Sequence, residues 1–295
     1  MVFEVGGGFA YSRPMTGMHP IRTLHRSFGR GVGRAAPDWL VARYREWTTD
    51  VYVVSFPKSG RTWLRTILGN TLHARFGTTP LDPTSVHHMW MFDRRIPRIV
   101  FTHDMDAHLH RADAITWSGR KYRNRKTVVL IRDPRDTIVS LYFEMTKRVH
   151  AYEGTIADFI RQEEGGIASL ITFLNLWMAN LDRLPRKLMI RYEDLHVRPV
   201  ETVEALLGFV GVGGVGRDVV RRALERSSFG VMRDMELSGA VPHSRLRPGN
   251  PADPESFKVR SGKVGGYRDH LSPEDCRYLD EQIEAQLTDS LAFYK

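Results

Sequence analysis

The sequence is poor in the features that most quickly assign a protein to a class. Its 295 residues include a single cysteine, Cys276, so the chain can form no internal disulfide and no zinc site built on several cysteines. No apolar run approaches the roughly 18–20 residues that span a bilayer. No N-terminal stretch has the apolar core, about 7–15 residues long, of a secretory signal. The lack of disulfides is compatible with a protein in a reducing compartment. The lack of a long apolar run argues against a membrane-spanning segment.

The composition is that of a globular protein with a basic balance. Hydrophobic residues make up 42% of the chain, and 43 Lys and Arg residues oppose 34 Asp and Glu residues, which gives a net charge of +9. At this length one large α/β core is plausible. The basic residues are not gathered in one run but recur at loops and element ends: Lys58, Arg61, Arg132, Arg135, Arg260 and Lys263. This spacing favours a small, phosphate-rich ligand over a long polyanion.

Residues 1–37 differ in composition from the rest of the chain. They hold seven glycines, five arginines and a single acidic residue, Glu4, and they show no hydrophobic period. We predict a flexible N-terminal arm for residues 1–37 and a single domain for residues 38–295.

From residue 38 onward, apolar runs of strand length alternate with segments of helical period. Four strands are predicted: Val51–Phe56, Arg98–Thr102, Lys126–Ile131 and Lys187–Arg191. Helices are predicted from Asp38, over Arg61–Phe76, from Pro134, and over 155–164, 168–183, Pro199–Val210, Arg217–Glu225 and 272–287. This alternation indicates an α/β fold in which a mostly parallel central sheet is flanked by helices. Residues 228–267 show no clear period, and we predict a long, lid-like loop there.

One strand–loop–helix unit is the most informative stretch of the chain. The run Val51–Phe56 stops at Pro57, and a tight turn, Lys58-Ser59-Gly60, leads into a helix. Backbone N–H groups at a helix start carry partial positive charge, so this loop can bind a phosphate or sulfate. Lys58 adds a full charge, and Trp63 adds a flat apolar face for a purine. The unit is P-loop-like in form, but it lacks the Gly-Lys-Ser/Thr of a Walker A motif.

The other strands also end at side chains with chemical potential. His103 follows the second strand, Arg132 the third and Tyr192 the fourth. Ligands of open parallel sheets bind at the carboxyl ends of the strands. We therefore expect these three residues to meet Lys58 at one edge of the sheet.

Four segments, taken in order along the chain, carry a family resemblance. They are Phe56–Trp63 (FPKSGRTW), Ile131–Ser140 (IRDPRDTIVS), Ser227–Met232 (SSFGVM) and Arg260–Arg268 (RSGKVGGYR). Together they resemble the segments with which sulfotransferases of the soluble cytosolic type bind PAPS, 3′-phosphoadenosine 5′-phosphosulfate. Their order and spacing match the family from about residue 50 to about residue 285. The resemblance implies a single-domain sulfotransferase fold.

The resemblance also implies roles for individual residues. Contacts to the 5′-phosphosulfate are implied for Lys58, Ser59, Gly60, Arg61 and Thr62. Contacts to the 3′-phosphate are implied for Arg132, Ser140, Arg260, Ser261 and Gly262. Contacts to the adenine are implied for Trp63, Tyr192 and Phe229, and Ser227 begins the segment implied to cover the adenine. The forked guanidinium of Arg132 suits two oxygens of one phosphate.

The implied reaction is sulfuryl transfer from PAPS to the hydroxyl or amine of a small molecule, with the 3′,5′-bisphosphate PAP as product. His103 resembles the family's general base, and the resemblance implies that Lys58 stabilises the leaving oxygen and that Ser140 contacts that lysine. A reaction without a metal, no nucleic-acid partner and a cytoplasmic location are also implied. The departures from the family pattern are Arg61 for a threonine, Phe101 and Ser261 for lysines, and Tyr267 for a tryptophan.

Three other interpretations stay open on the residues alone. The stretch His103–His110 contains three histidines and two aspartates, which could ligate a metal ion. A P-loop kinase or NTPase would share the strand–loop–helix, but it needs a lysine after glycine and a magnesium ligand. A basic nucleic-acid-binding protein would explain the net charge. No motif indicates which acceptor is used or what the oligomeric state is.

Overall fold

In the part of the chain that the structure describes, a four-stranded parallel sheet organises the fold. The computed structural model describes residues 37–78, 82–239, 241 and 246–295. Its strands are β1 (Val51–Val54), β2 (Ile99–Thr102), β3 (Lys126–Ile131) and β4 (Lys187–Arg191). They lie in the order β2-β1-β3-β4, and each neighbouring pair is parallel. All four carboxyl ends therefore lie at the same edge of the sheet. The N-terminal arm predicted for residues 1–37 lies outside the described residues, apart from its last residue.

Helices follow the strands and cover both faces of the sheet. They are α1 (Asp38–Thr48), α2 (Arg61–Phe76), α3 (Val86–Met89), α4 (Pro134–Phe143), α5 (Ile156–Arg161), α6 (Ile167–Leu181), α7 (Tyr192–Val197), α8 (Pro199–Val210), α9 (Arg217–Glu225), α10 (Phe229–Ser238) and α11 (Pro273–Gln286). A π-helical turn, Glu144–Arg148, continues α4. In the described ranges, no helix is both long enough and apolar enough to cross a membrane.

The sheet separates two hydrophobic cores. Val51 and Val53 of β1 pack with side chains of α2, α8 and α9, whereas Tyr52 and Val54 pack with side chains of α4, α6 and α11. Successive strand residues point to opposite faces, so both faces of β1 are covered. Burial on both faces explains why β1 and β3 read as continuous apolar runs rather than alternating ones.

Helix α4 begins at Pro134, as predicted, directly after the turn that follows β3. The Asp133 carboxylate accepts a hydrogen bond from the backbone N–H of Arg135 at 2.8 Å, and Pro134 takes the first helical position. The backbone N–H of Asp133 donates to Oε1 of Glu193 at 2.9 Å, which ties this turn to α7. The turn thereby fixes where Arg132 leaves the strand.

The predicted fold class is confirmed, and one predicted loop is wrong. The bounds of α2, α8, α9, β3 and β4 are those read from the sequence. The first part of the loop predicted over 228–267 is instead the helix α10. Within α10 only Met232 and Glu236 are buried, so the hydrophobic period has too few members to be read. The domain boundary at residue 38 stays a prediction.

Candidate active site

The carboxyl ends of the strands border a cavity of about 320 Å³. Lys58, His103, Arg132 and Tyr192, one from each strand end, all line it. Residues of α10 and of the segment that follows residue 257 complete its wall. The strand-end side chains thus meet at one edge of the sheet, as a parallel arrangement requires.

The loop between β1 and α2 contains two residues with left-handed backbone conformation. Lys58 has a φ of 71° and Gly60 has a φ of 90°. Glycine is needed at position 60 for a second reason, because a Cβ there would lie 2.3 Å from Cδ2 of Tyr192. A left-handed conformation is uncommon for a residue with a side chain. At Lys58 it accompanies a side chain that enters the cavity.

A buried carboxylate holds Lys58. The Nζ of Lys58 lies 2.7 Å from Oε2 of Glu144, and Oε1 of Glu144 accepts a hydrogen bond from Arg148 at 2.5 Å. Burial lowers the pKa of Lys58, against the opposing charge of Glu144. Burial alone would raise the pKa of Glu144, but the charges of Lys258, Lys58 and Arg148 hold it well below its usual value. Glu144 is therefore ionised at neutral pH.

Both ring nitrogens of His103 have defined partners. Nδ1 lies 3.1 Å from the carbonyl oxygen of Ser55, and Nε2 lies 2.5 Å from Nη2 of Arg61. A carbonyl oxygen only accepts and a guanidinium only donates, so the neutral ring carries its hydrogen on Nδ1 and its lone pair on Nε2. Burial, and then the charge of Arg61, lowers the pKa of His103 well below its usual value. Nε2 is thus the basic nitrogen of this side chain.

The guanidinium of Arg132 lies over the ring of Tyr192, 4.3 Å from its centroid. Nη1 donates to the carbonyl oxygen of Lys58 at 3.2 Å, and Nη2 donates to that of Lys263 at 3.0 Å. Nε of Arg132 is buried without a hydrogen-bond partner. A buried donor with no acceptor is costly, and an acceptor supplied by a ligand would remove that cost.

Residues 258–268 are named the closing segment, and its first five residues, 258–262, line the cavity. The Asp136 carboxylate on α4 accepts a hydrogen bond from the backbone N–H of Gly265 at 2.8 Å. The Glu236 carboxylate on α10 accepts one from the backbone N–H of Lys258 at 2.7 Å. Both carboxylates are buried. They therefore hold the closing segment against two different helices.

Arg260 enters the cavity from the closing segment. Its Nη1 lies 3.0 Å from Oε2 of Glu255 and 2.8 Å from Nε2 of His270. Its guanidinium also lies over the ring of Phe143, 4.1 Å from the centroid. These contacts orient a second arginine at the same cavity as Arg132.

Aromatic rings line the side of the cavity next to α10. The indole Nε1 of Trp63 donates to the carbonyl oxygen of Ser227 at 2.9 Å. The hydroxyl of Ser227 donates to the carbonyl oxygen of Ala223 at 2.7 Å and is fully buried behind Trp63. Phe229 is 44% exposed and covers Gly262, where a Cβ would lie 2.7 Å from the ring. Trp63 and Phe229 both face the cavity.

A comparison with protein-family models matches the sulfotransferase domain over residues 48–291. The chain belongs to the sulfotransferase family. The matched range includes all four strands, α10 and the closing segment, and therefore the whole border of the cavity. The family predicted from the four segments is thus confirmed.

Individual sulfotransferases agree with this assignment. The chain is 26% identical over 271 residues to cytosolic sulfotransferase 16 of Arabidopsis thaliana, which covers 82% of this chain and 77% of that one. It is 25% identical over 260 residues to flavonol 3-sulfotransferase of Flaveria bidentis, which covers 81% of each chain. A solved mouse sulfotransferase complexed with PAP matches with a TM-score of 0.57 at 19% identity, over 84% of this chain and 88% of that one. Retinol dehydratase in complex with androsterone and PAP matches with a TM-score of 0.58 at 18% identity, over 82% and 81%. The two structures share the sulfotransferase fold.

All but two of the site residues predicted from the sequence line the cavity of this sulfotransferase. Those that line it are Lys58, Gly60, Arg61, Thr62, Trp63, His103, Arg132, Ser140, Tyr192, Phe229, Arg260, Ser261 and Gly262. Ser59 is buried within the β1–α2 loop, where its backbone N–H donates to the carbonyl oxygen of Phe56 at 3.4 Å. Ser227 lies behind Trp63.

Three polar residues that sequence reasoning missed also line the cavity: Glu144, His196 and Lys258. Glu144 lies four residues after Ser140, and His196 lies four residues after Tyr192, so helical spacing carried a signal for both. Lys258 lies in an irregular segment, two residues before Arg260. Its position depends on how the closing segment packs, which no local pattern indicates.

The histidine-rich stretch after β2 does not form a metal cluster. Across the described ranges, no group of three or more His, Cys, Asp or Glu side chains is arranged to hold a metal ion. His108 is buried, with its ring centroid 5.7 Å from that of His103, whereas His110 is exposed. Burial lowers the pKa of His108 to about 4, so this ring is neutral at neutral pH. The metal interpretation of this stretch has no support from its geometry.

Proposed function

We propose that this sulfotransferase moves a sulfuryl group from PAPS to the hydroxyl or amine of a small molecule and releases PAP. The observation that carries the proposal is one cavity at the strand ends that combines Lys58, Arg132 and Arg260 with the neutral imidazole of His103. Family membership supports the reaction class. Cations at separate points of the cavity fit a ligand with anionic groups at both ends.

The cavity residues fit the two anionic ends of PAPS. The β1–α2 loop and the first turn of α2, residues 58–62, would hold the 5′-phosphosulfate with backbone N–H groups and the Lys58 ammonium. The buried, unmatched Nε of Arg132 would donate to the 3′-phosphate, beside the hydroxyl of Ser140. Residues 260–262 of the closing segment would complete that end with a second guanidinium.

Two aromatic rings would enclose the adenine. Trp63 and Phe229 both line the cavity, and Tyr192 borders the same region with its ring centroid 5.5 Å from that of Trp63. The hydrogen bond from Trp63 to Ser227 fixes the plane of the indole. Such rings favour a flat apolar base over a bulky or saturated group.

His103 would act as the general base. Its Nε2 lone pair would accept the acceptor's proton while the acceptor oxygen forms its bond to sulfur. Arg61 donates to this nitrogen in the structure, so its guanidinium must turn away before an acceptor hydroxyl can take its place. The anionic end of the bound donor offers Arg61 another acceptor. Lys58 would neutralise the charge that builds on the leaving phosphate oxygen, with Ser140 nearby.

We further propose a small organic acceptor, no nucleic-acid partner and a cytoplasmic location. The name of the flavonol 3-sulfotransferase relative supports a small hydroxyl compound as the acceptor class. Relatives named as cytosolic sulfotransferases support the location. Side chains supply the positive charge that the reaction needs, so the mechanism we propose uses no metal.

A transfer assay tests the proposal. The purified protein is incubated with PAPS carrying a labelled sulfuryl group and with a library of phenols, alcohols and amines. We expect labelled product from at least one acceptor, and only background product from Lys58→Ala. Equal product from Lys58→Ala would contradict the mechanism. Transfer of phosphate from labelled ATP, without transfer from PAPS, would support the kinase interpretation instead.

A further inference from the structure

A second lysine enters the cavity from the closing segment. The Nζ of Lys258 lies 3.7 Å from Oε1 of Glu144, the carboxylate that also binds Lys58. The backbone N–H of Lys258 donates to the buried carboxylate of Glu236, so α10 sets its position. The side chain is 21% exposed and lines the cavity. It is therefore held in place and still accessible to a ligand.

Pairing with Glu144 does not by itself explain Lys258. Both oxygens of Glu144 already accept hydrogen bonds, Oε2 from Lys58 at 2.7 Å and Oε1 from Arg148 at 2.5 Å. At 3.7 Å the Lys258 ammonium is outside hydrogen-bonding distance of that carboxylate. Three cations thus surround one carboxylate, and buried excess charge is unfavourable unless an anion joins it. The cluster has the charge of a site for an anionic group.

The electrostatic surroundings of Lys258 support the same conclusion. Burial lowers the pKa of Lys258 to about 7. The charge of Glu144 in the π turn opposes this shift. Three cations strengthen it: Arg148 of the same turn, Lys58 of the β1–α2 loop and Arg61 of α2. An anion bound in the cavity would raise the pKa again and keep the ammonium charged. Ligand binding and protonation of Lys258 are therefore coupled.

On the basis of the proposed function, we propose that Lys258 is a second cationic residue of the sulfuryl-transfer site, which binds the non-bridging oxygens of the sulfuryl group while Lys58 binds the leaving oxygen. Glu144 is the positioning residue that orients both ammonium groups. The acceptor oxygen forms the new bond to sulfur, and its proton passes to Nε2 of His103. The sulfur–oxygen bond to the phosphate breaks, and its electron pair stays on PAP.

Two features make this position effective. Lys258 and His103 line the same cavity, and the charge of Lys258 contributes to the lowered pKa of His103. Charge in the transition state is shared among the leaving oxygen, the attacking oxygen and the sulfuryl oxygens. A fixed cation directed at those oxygens stabilises the transition state more than the ground state.

Matched lysine variants test the inference. Lys258→Met removes the charge but keeps the length of the side chain, and Lys258→Arg keeps a positive charge. Lys187→Met is the control, because Lys187 pairs with Asp182 at the opposite edge of the sheet. For each variant, kcat is measured at saturating PAPS and the Kd of PAP is measured by calorimetry. We expect Lys258→Met to lower kcat roughly 10²–10³-fold and Lys258→Arg to restore much of it. The Kd of PAP should change less than about tenfold, because PAP carries no sulfuryl group.

The outcomes separate this inference from the function on which it rests. Wild-type turnover together with a Lys258→Met kcat within about threefold of it would end the inference alone. Equal falls in kcat and in PAP affinity would reduce Lys258 to a structural residue. A wild-type protein that neither binds PAP nor transfers sulfate would instead end the proposed function. Retained PAP binding shows that a variant is folded.

Glu144→Gln tests the positioning role through the pH profile. The ammonium charge is lost as the pH rises through the lysine pKa, so kcat/KM for PAPS should fall on the alkaline side. Removing the Glu144 charge lowers the pKa of both lysines, and the fall should begin at lower pH than in wild type. Lys258→Arg should move the alkaline fall in kcat/KM to higher pH than in wild type. A Glu144→Gln profile with the wild-type shape would remove Glu144 from the site.

Discussion

The contact between Arg132 and the 3′-phosphate can be tested quantitatively. The side chain is fixed by the Tyr192 ring and by carbonyl oxygens of two separate segments, and its buried Nε has no partner. A hydrogen bond to a charged group contributes about 1.5–3 kcal/mol. Since 1.4 kcal/mol corresponds to a factor of ten, loss of this contact should weaken PAP binding roughly 10- to 150-fold.

Arg132 also holds the β1–α2 loop and the closing segment, so the Arg132→Ala variant needs a second ligand as reference. Titration calorimetry with PAP and with adenosine 5′-monophosphate, which lacks the 3′-phosphate, isolates the phosphate contact. We expect the affinity for PAP to fall roughly 10- to 150-fold more than the affinity for the monophosphate. Arg132→Lys keeps the charge without the fork and should give an intermediate loss. Equal losses for the two ligands would refute the reasoning, because Arg132 would then act only through the fold.

Three other perturbations probe the base and the loop. His103→Asn should lower kcat at least about 10²-fold in initial-rate assays, because the asparagine amide is not a base. PAP affinity should be unchanged, since the amide oxygen still accepts a hydrogen bond from Arg61. A retained kcat would exclude His103 as the general base. Burial and Arg61 lower the pKa of His103 in the free enzyme, and only the neutral ring is a base, so kcat/KM should fall on the acid side below pH 6.5. Arg61→Gln should move that fall to higher pH, and an unmoved profile would contradict the assignment. Gly60→Ala should lower the free energy of unfolding about 1–3 kcal/mol more than Gly77→Ala does. Both glycines have a positive φ, but only at Gly60 would the added Cβ meet the Tyr192 ring. Equal urea midpoints for the two variants would show that the ring moves aside at no cost.

The secondary structure was predictable where burial follows a fixed face over several residues. The six-residue apolar run of β3 and the long apolar stripe of α2 were read with their observed bounds. By contrast, α10 buries only Met232 and Glu236, so its helical period is too sparse to detect. The π turn Glu144–Arg148 continues α4, and local propensity does not indicate it.

The site was predictable where topology alone brings residues together. Lys58, His103 and Arg132 each follow a parallel strand, so their meeting is a consequence of the strand pattern. The spacing from Ser140 indicates the helix face of Glu144, but its burial was not predictable, because a glutamate at a helix end is ordinarily exposed to solvent. Its burial depends on two lysines that are distant in sequence. Lys58 lies 86 residues before it, and Lys258 lies after it in the closing segment. Ion pairs between distant segments leave no periodic signal in a sequence.

The central claim is that the cavity at the strand ends binds an adenine nucleotide through its 3′-phosphate. Titration calorimetry of the unmodified protein with PAP and with ATP tests this claim most directly. We expect PAP to bind at least about tenfold more tightly than ATP, because Arg132 and Arg260 face a phosphate that ATP does not carry. No heat of binding with PAP, or tighter binding of ATP, would contradict the claim.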